Sequence, residues 1–326
     1  MSTSPDSAHT SHTSHTSHTS REIASQPDCW RRAAASVTGH RDVLPQPGER
    51  VAVIGCGTSW FMALAYAELR EQAGQGETDA FAASLFPVGR RYDRIVALTR
   101  SGTTTEVLDL LAKLRGQAPV TAVTADAGTP VSDVADGVVE LAYADEQSVV
   151  QTRFATTALA LLRAHSESQG PLPRAVRTIA QAAADAERAV AAPLPEEMCA
   201  AEQITFLGDG WAYGLALEAG LKMREAAGAW TEAYPSMEYR HGPISIAGPG
   251  RGTWVFGPAP YGLAAEVART GVAYLAESGG AVGDLDPLAD LVRAQCLAVH
   301  AAGARGLDPD RPRALSRSVV LAGEHA

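Results

Sequence analysis

No stretch of the 326-residue chain approaches the roughly 20 consecutive apolar residues that span a bilayer, and its N-terminus has no apolar signal-peptide core. These absences exclude a helical membrane protein and export by that route, so the expected location is the cytoplasm. The four cysteines, Cys29, Cys56, Cys199 and Cys296, lie far apart with no CxxC spacing, which suggests neither a zinc site nor a disulfide scaffold. A reducing compartment fits. The formal net charge is −10, and no Lys/Arg cluster is dense enough to follow a phosphodiester backbone, which excludes nucleic acid as the main partner. A Walker-type GK[ST] is also missing, against a nucleoside triphosphate. What remains is a chain that is 46% hydrophobic, enough for two ordinary domains or one large one.

The first 25 residues read as a disordered tail. HTSHTSHTSHTS (9–20) is a polar period-three tract with nothing to bury. His9, His12, His15 and His18 could collect a transition metal, but flexible spacing fixes no coordination geometry, so no metal site and no cofactor are expected. EIASQPDCWRRAAASV (22–37) then reads as a short helical entry anchored by Trp30.

Beyond VLPQPGER (43–50) the chain alternates. VAVIG (51–55), RIVALT (94–99), VTAVTA (120–125) and VVEL (138–141) are short, β-branched runs, separated by segments of helical period such as FMALAYAELREQ and TEVLDLLAKLRG. Apolar strands between helices predict an α/β fold with a parallel sheet covered on both sides. From about Thr156 to Ala192 the chain is alanine-rich and helical, closing at APLPEEM (192–198), where a domain boundary is placed. Then the order repeats: ITFLG (204–208), a glycine turn, LALEAGLKMREAAGAW, and TWVFG (253–257). This is the pattern of a duplicated α/β unit. The expected division is a first unit over 26–170 with the phosphate loops, a helical linker over 171–195, and a second unit over 196–326.

Two loops in the first unit suit an anion. GCGTSW (55–60) and TRSGTTTEV (99–107) each follow a strand and precede a helix, where ligands of open parallel sheets sit and free N–H groups are presented. Together they offer the hydroxyls of Thr58, Ser59, Thr99, Ser101 and Thr104, with backbone N–H groups beside Gly57 and Gly102. Many donors around three oxygens suit a phosphate monoester. The alternative is that Ser and Thr merely cap two helices.

In the second unit, Glu218, Lys222 and Glu225 have i, i+4, i+7 spacing and share one helical face. The spacing alone fits a solvated salt-bridge stripe. EAYPSMEYRHGP follows, with His241 beside a Gly-Pro turn. Moving a proton between C1 and C2 of a sugar needs a base, and opening the ring needs a second proton-transferring group; a carboxylate and an imidazole can fill those roles. A structural loop histidine is the other reading of His241.

GCGTS, SGTTTEV, EQSVVQTRFATT (146–157) and ALEAGLKMREAAGAWTEAYPSMEYRHGP (216–243) together resemble the sugar isomerase (SIS) family, in its double-SIS form. The likeness is to the isomerase half of glucosamine-6-phosphate synthase, to amino-sugar-phosphate deaminases and to fructosamine-phosphate deglycases. It covers nearly all the chain after the tail. The resemblance implies two tandem SIS units and a phosphosugar ligand held by Thr58, Ser59, Thr99, Arg100, Ser101 and Thr104, with Val149 near the sugar. It implies Glu225 as the C1/C2 base, Lys222 and Glu218 as supporting charges, and His241 as the ring-opening group, contributed across a homodimer interface. Two departures stand out. Arg100 replaces an uncharged residue, and PRALSRSVVL (312–321) places Arg317 where the family commonly shows lysine, which excludes imine formation there. Arg317 is either near the sugar or an ordinary ion pair. A glutaminase half is not expected, because Ser2 stands where its cysteine would be.

The resulting expectation is an enzyme acting through an enediol on a 6-phosphosugar, coupled to deamination or deglycation, with no nucleic-acid or membrane partner. Simple aldose–ketose isomerisation and a non-catalytic phosphosugar sensor are the alternatives. Fold alone does not separate them.

Overall fold

The structure is a computed structural model, described here for residues 17–173, 176–276 and 284–321. Two all-parallel sheets organise it. The first has β1 (Val51–Gly55), β2 (Thr78–Ala82), β3 (Arg94–Leu98), β4 (Val120–Thr124) and β5 (Gly137–Glu140) in the order β2-β1-β3-β4-β5. The second has β6 (Gln203–Gly208), β7 (Trp230–Pro235), β8 (Arg251–Phe256) and β9 (Ala273–Ala276) in the order β7-β6-β8-β9. Both sheets are flanked by helices, and the strand at the head of each unit pairs on both sides: β1 with β2 and β3, β6 with β7 and β8. The order therefore reverses at β1, the switch point where open α/β sheets place their ligands. β1 and β4 are buried along their whole length because helices cover both faces, which is why they read as unbroken apolar runs.

The helices are α1 (His18–Ala24), α2 (Gln26–Ser36), α3 (Thr58–Gln72), α4 (Thr105–Leu114), α5 (Val131–Val134), α6 (Arg153–Gln169), α7 (Ile179–Ala191), α8 (Glu196–Cys199), α9 (Trp211–Ala227), α10 (Leu263–Ala268) and α11 (Pro287–Ala304). The expected single helical stretch over 156–192 is two helices. α6 starts three residues earlier and stops at Gly170, and the segment beyond, with Pro171 and Pro173, cannot continue it. Trp30 on α2 is fully buried and donates its Nε1–H to Thr156 Oγ1 on α6 at 3.1 Å.

The duplication is visible in the backbone. Gly57 and Gly210 precede α3 and α9 with φ, ψ of 54°, −125° and 54°, −132°, so the same glycine turn enters the first helix of each unit. These two helices pack on each other across the units. Gly214 makes the approach possible, since a Cβ there would lie 2.4 Å from the carbonyl oxygen of Phe61. One hydrophobic cluster runs through both units, from Val51, Met62 and Leu69 to Phe206, Leu215 and Leu291.

The tail differs from expectation at its end. Residues 1–16, with His9, His12 and His15, lie outside the described residues. From His18 the chain is helical, capped by Ser17 and held by Asp310, whose carboxylate accepts from the N–H groups of His18 and Thr19, each at 2.8 Å. Among the described residues no helix is long and apolar enough to cross a membrane, and no cluster of three metal-ligating side chains occurs.

Candidate active site

The turns after β1 and β3 open onto one cavity of about 250 Å³. Thr58 and Ser59 come from the first turn, and Thr99, Arg100, Ser101 and Thr104 from the second. Pairing of β1 with β3 places the two turns side by side. Val149 lines the same cavity, as do Glu225 from the second unit and the C-terminal segment with Arg317.

Helix capping does not account for the hydroxyls. Gly57 is the N-cap of α3 and has no side chain, and Thr104, the N-cap of α4, makes no side-chain capping bond. Thr99 is buried and its hydroxyl finds no partner among the described residues, and the same holds for the side-chain nitrogen of Gln151. Buried polar atoms of this kind are costly unless something pairs with them. Gln151 also lines the cavity, although the sequence reading passed over it; it lies inside the EQSVVQT run, where its amide was the available signal.

The two arginines are engaged with protein groups. Arg100 is buried and donates to Glu146 Oε2 at 3.4 Å and to the carbonyl oxygens of Ser148, Val149 and Arg317 at 3.2, 3.4 and 3.0 Å. It braces the cavity wall against the C-terminal segment. The Arg317 side chain pairs with Asp145 and donates to the Glu146 carbonyl oxygen, which matches the ion-pair alternative. That segment also reaches the second turn: Ser318 Oγ lies 3.1 Å from Ser101 Oγ and 2.9 Å from Thr103 Oγ1, and the Thr105 N–H donates to the Val319 carbonyl at 3.2 Å.

The helix face of α9 is buried, which rules out a solvated stripe. Glu218 and Lys222 are each 1% exposed at the side chain and Glu225 is 17% exposed. Lys222 Nζ pairs with Glu225, lies 3.4 Å from Glu218 Oε1, and donates to Thr58 Oγ1 at 3.0 Å. Burial penalises the Lys222 charge, but Glu218 and Glu225 more than offset that and hold the ammonium above its ordinary value. Burial pushes the Glu218 carboxyl up to about 8 against the pull of Lys222. Burial and Glu106 push the thiol of Cys56, beside the hydroxyls, up to about 11, away from the thiolate form.

His241 is not brought to this cavity within the chain. It ends the short turn Glu238–His241, after β7, with its side chain exposed. The second glycine turn lacks the hydroxyls of the first. Asp209 and Trp211 stand there, and Asp209 accepts from the Ser236 N–H at 2.8 Å.

Two doubly wound parallel units, with one hydroxyl-lined cavity at the switch point of the first and a charged helix of the second forming its far wall, define the class. No family model matches the chain. The glutamine–fructose-6-phosphate aminotransferase (isomerizing) of Sulfurisphaera tokodaii is 27% identical over 300 residues, covering 84% of this chain and 50% of that relative. The chain spans about half the length of the curated relatives it matches. Among solved structures, glucosamine-6-phosphate deaminase from Thermotoga maritima superposes with a TM-score of 0.78 at 22% identity, covering 94% of this chain and 100% of that one. Tagatose-6-phosphate ketose/aldose isomerase from Escherichia coli gives 0.78 at 19%, covering 99% and 100%. The chain resembles the double-SIS (sugar isomerase) family, in sequence through the isomerizing aminotransferases and in fold through the phosphosugar isomerase and deaminase structures.

Proposed function

We propose that this protein is a phosphosugar isomerase-type enzyme that acts through an enediol on a 6-phosphosugar and couples the proton shift to loss of an amine. The observation that carries the reading is a single cavity lined at one end by the hydroxyl turns and at the other by the carboxylate of Glu225. The phosphate sits against Thr58, Ser59, Thr99, Ser101 and Thr104, and charge-assisted hydrogen bonds to its oxygens fix the register of the sugar. Val149 faces the carbon chain. C1 and C2 then lie by Glu225, which Lys222 pairs with and orients.

From an open-chain amino-sugar phosphate, Glu225 takes the proton of C2 and returns it to C1. The nitrogen is left as an imine at C2, and water releases ammonia and a ketose phosphate. From a fructosamine phosphate the proton leaves C1 and returns to C2, and water splits the resulting C1 imine into an aldose phosphate and the free amine. In both directions the carbon chemistry is the same, so one base serves. His241 opens the sugar ring from a second copy of the chain in a homodimer, since its own side chain does not line the cavity.

The test is Glu225→Gln, which keeps the shape but cannot accept a proton from carbon. Turnover should fall by about 10²–10⁴-fold, the usual contribution of general acid–base catalysis. Exchange of the C2 hydrogen of a bound 6-phosphosugar with deuterium reports enolisation even before the true substrate is known. Equal exchange in wild type and variant would remove Glu225 from the role of base.

A further inference from the structure

The loop that brings Val149 to the cavity is held by a residue outside the cavity, on the helix α1. Glu22 is 4% exposed and sits on the second turn of that helix. Its Oε1 accepts from the Gln147 N–H at 2.6 Å and from the Ser148 N–H at 3.4 Å, and its Oε2 accepts from the Ser148 hydroxyl. The carbonyl oxygens of Ser148 and Val149 go to Arg100 instead. Residues 147–149 lie in no helix or strand, so these backbone groups depend on the two side chains for their hydrogen bonds.

A helix of seven residues does not persist alone in water. α1 persists because the rest of the protein holds it: Ile23 is buried, and Asp310 accepts from the Thr19 hydroxyl at 2.7 Å as well as from the first two N–H groups of the helix. From Asp310 the chain runs on to Leu315–Val319, which form another wall of the cavity. One helix, read from sequence as the end of a disordered tail, therefore ties together two walls of the cavity. Among the described residues Glu22 has no hydrogen bond to either hydroxyl turn; its partners are Gln147 and Ser148.

We propose, on the phosphosugar reading given above, that Glu22 is a positioning residue for the sugar: it fixes Val149, and with it the fit of the carbon chain, without touching the ligand. Without Glu22 two backbone N–H groups lose their acceptor, and the loop must move to find another. Val149 moves with the loop. The phosphate is held by the two hydroxyl turns, which Glu22 does not reach, so the two parts of the ligand respond differently to its loss.

Calorimetric titrations of the full chain with fructose 6-phosphate and with inorganic phosphate separate those parts. Glu22→Met keeps the length of the side chain and removes both acceptors. Its affinity for fructose 6-phosphate should fall by about tenfold or more, the effect of leaving a buried donor unpaired, while its affinity for inorganic phosphate stays that of wild type. Glu22→Gln should recover most of the loss. Its amide oxygen can accept from the two N–H groups, and its NH2 can donate to the Ser148 oxygen, whose own O–H donates to the Val150 carbonyl at 2.8 Å. Unfolding midpoints verify that each variant is folded. If Glu22→Met does not fold, Ser148→Ala removes the hydroxyl link alone and carries the same comparison; a selective loss of fructose 6-phosphate affinity is expected there too, and its absence overturns the role. Unchanged fructose 6-phosphate affinity in Glu22→Met, or equal weakening of both ligands, also overturns the positioning role and leaves the phosphosugar reading standing. Wild type that binds fructose 6-phosphate no more tightly than inorganic phosphate overturns both.

Discussion

Lys222 on α9 of the second unit donates to the hydroxyl of Thr58, the first residue of α3 in the first unit, at 3.0 Å. The ammonium is buried and also holds Glu225, so one side chain joins the proposed phosphate turn to the proposed base. A ligand that moves Thr58 therefore acts on the carboxylate through a single intermediate group.

This contact should appear as an interaction energy. Thr58→Val keeps the shape and removes the oxygen; Lys222→Met keeps the length and removes the charge. Breaking a buried pair by deleting one partner costs about 3–5 kcal/mol, so Lys222→Met should be the more damaging single change. In urea unfolding the double variant should depart from the sum of the singles by about 0.5–3 kcal/mol. Strict additivity would mean that the Thr58–Lys222 contact contributes nothing to the folded state.

The position of His241 gives a second prediction. If the histidine acts across a homodimer, a Glu225→Gln protomer and a His241→Gln protomer should complement each other, because one of the two sites in the mixed dimer pairs an intact Glu225 with an intact His241. Each variant alone should be nearly inactive. Refolding an equal mixture should restore about a quarter of wild-type activity, as expected for random pairing in a twofold dimer. No recovery from the mixture, with mixed dimers shown by mass, would place the two groups in one chain or remove His241 from the reaction.

Much of this arrangement was legible in the sequence because the residues that carry it are buried strands and local turns. β1, β3, β4, β6 and β8 lie inside their sheets, so both faces are covered and the runs are apolar. Of the edge strands, β5 was readable from its β-branched VVEL, whereas TDAFA, WTEAYP and AYLA of β2, β7 and β9, mostly half-buried, carry no such signal. The hydroxyl turns were readable because each lies within a few residues of chain. Of the cavity's other walls, Val149, Glu225 and Arg317 came from the family resemblance alone, and Gln151 and Ser318 were not read. The Ser318 contact with Thr103 spans 215 positions and the Asp310 cap of α1 spans 292, and neither leaves a local pattern. Burial of the Glu218–Lys222–Glu225 face was equally hidden, since i, i+4, i+7 spacing says which residues share a face but not what covers it.

Glu218 should give the protein a distinctive dependence of stability on pH. Its carboxyl is fully buried, with the Lys222 ammonium 3.4 Å from one oxygen, and burial raises it from 4.5 in the free state to about 8 in the fold. Between those two values the folded chain holds a proton at this site that the unfolded chain has released. Stability from this group is therefore complete below about 4.5 and is lost as the pH rises towards about 8, the reverse of the usual salt-bridged carboxylate. The slope attributable to one such group is at most about 1.4 kcal/mol per pH unit. Glu218→Gln mimics the protonated acid and cannot titrate. In urea unfolding from pH 5 to pH 8 the variant should start close to wild type and become progressively more stable than it, while groups elsewhere in the chain cancel in the difference. Parallel stability curves over that range would mean that Glu218 stays ionised in the folded chain throughout.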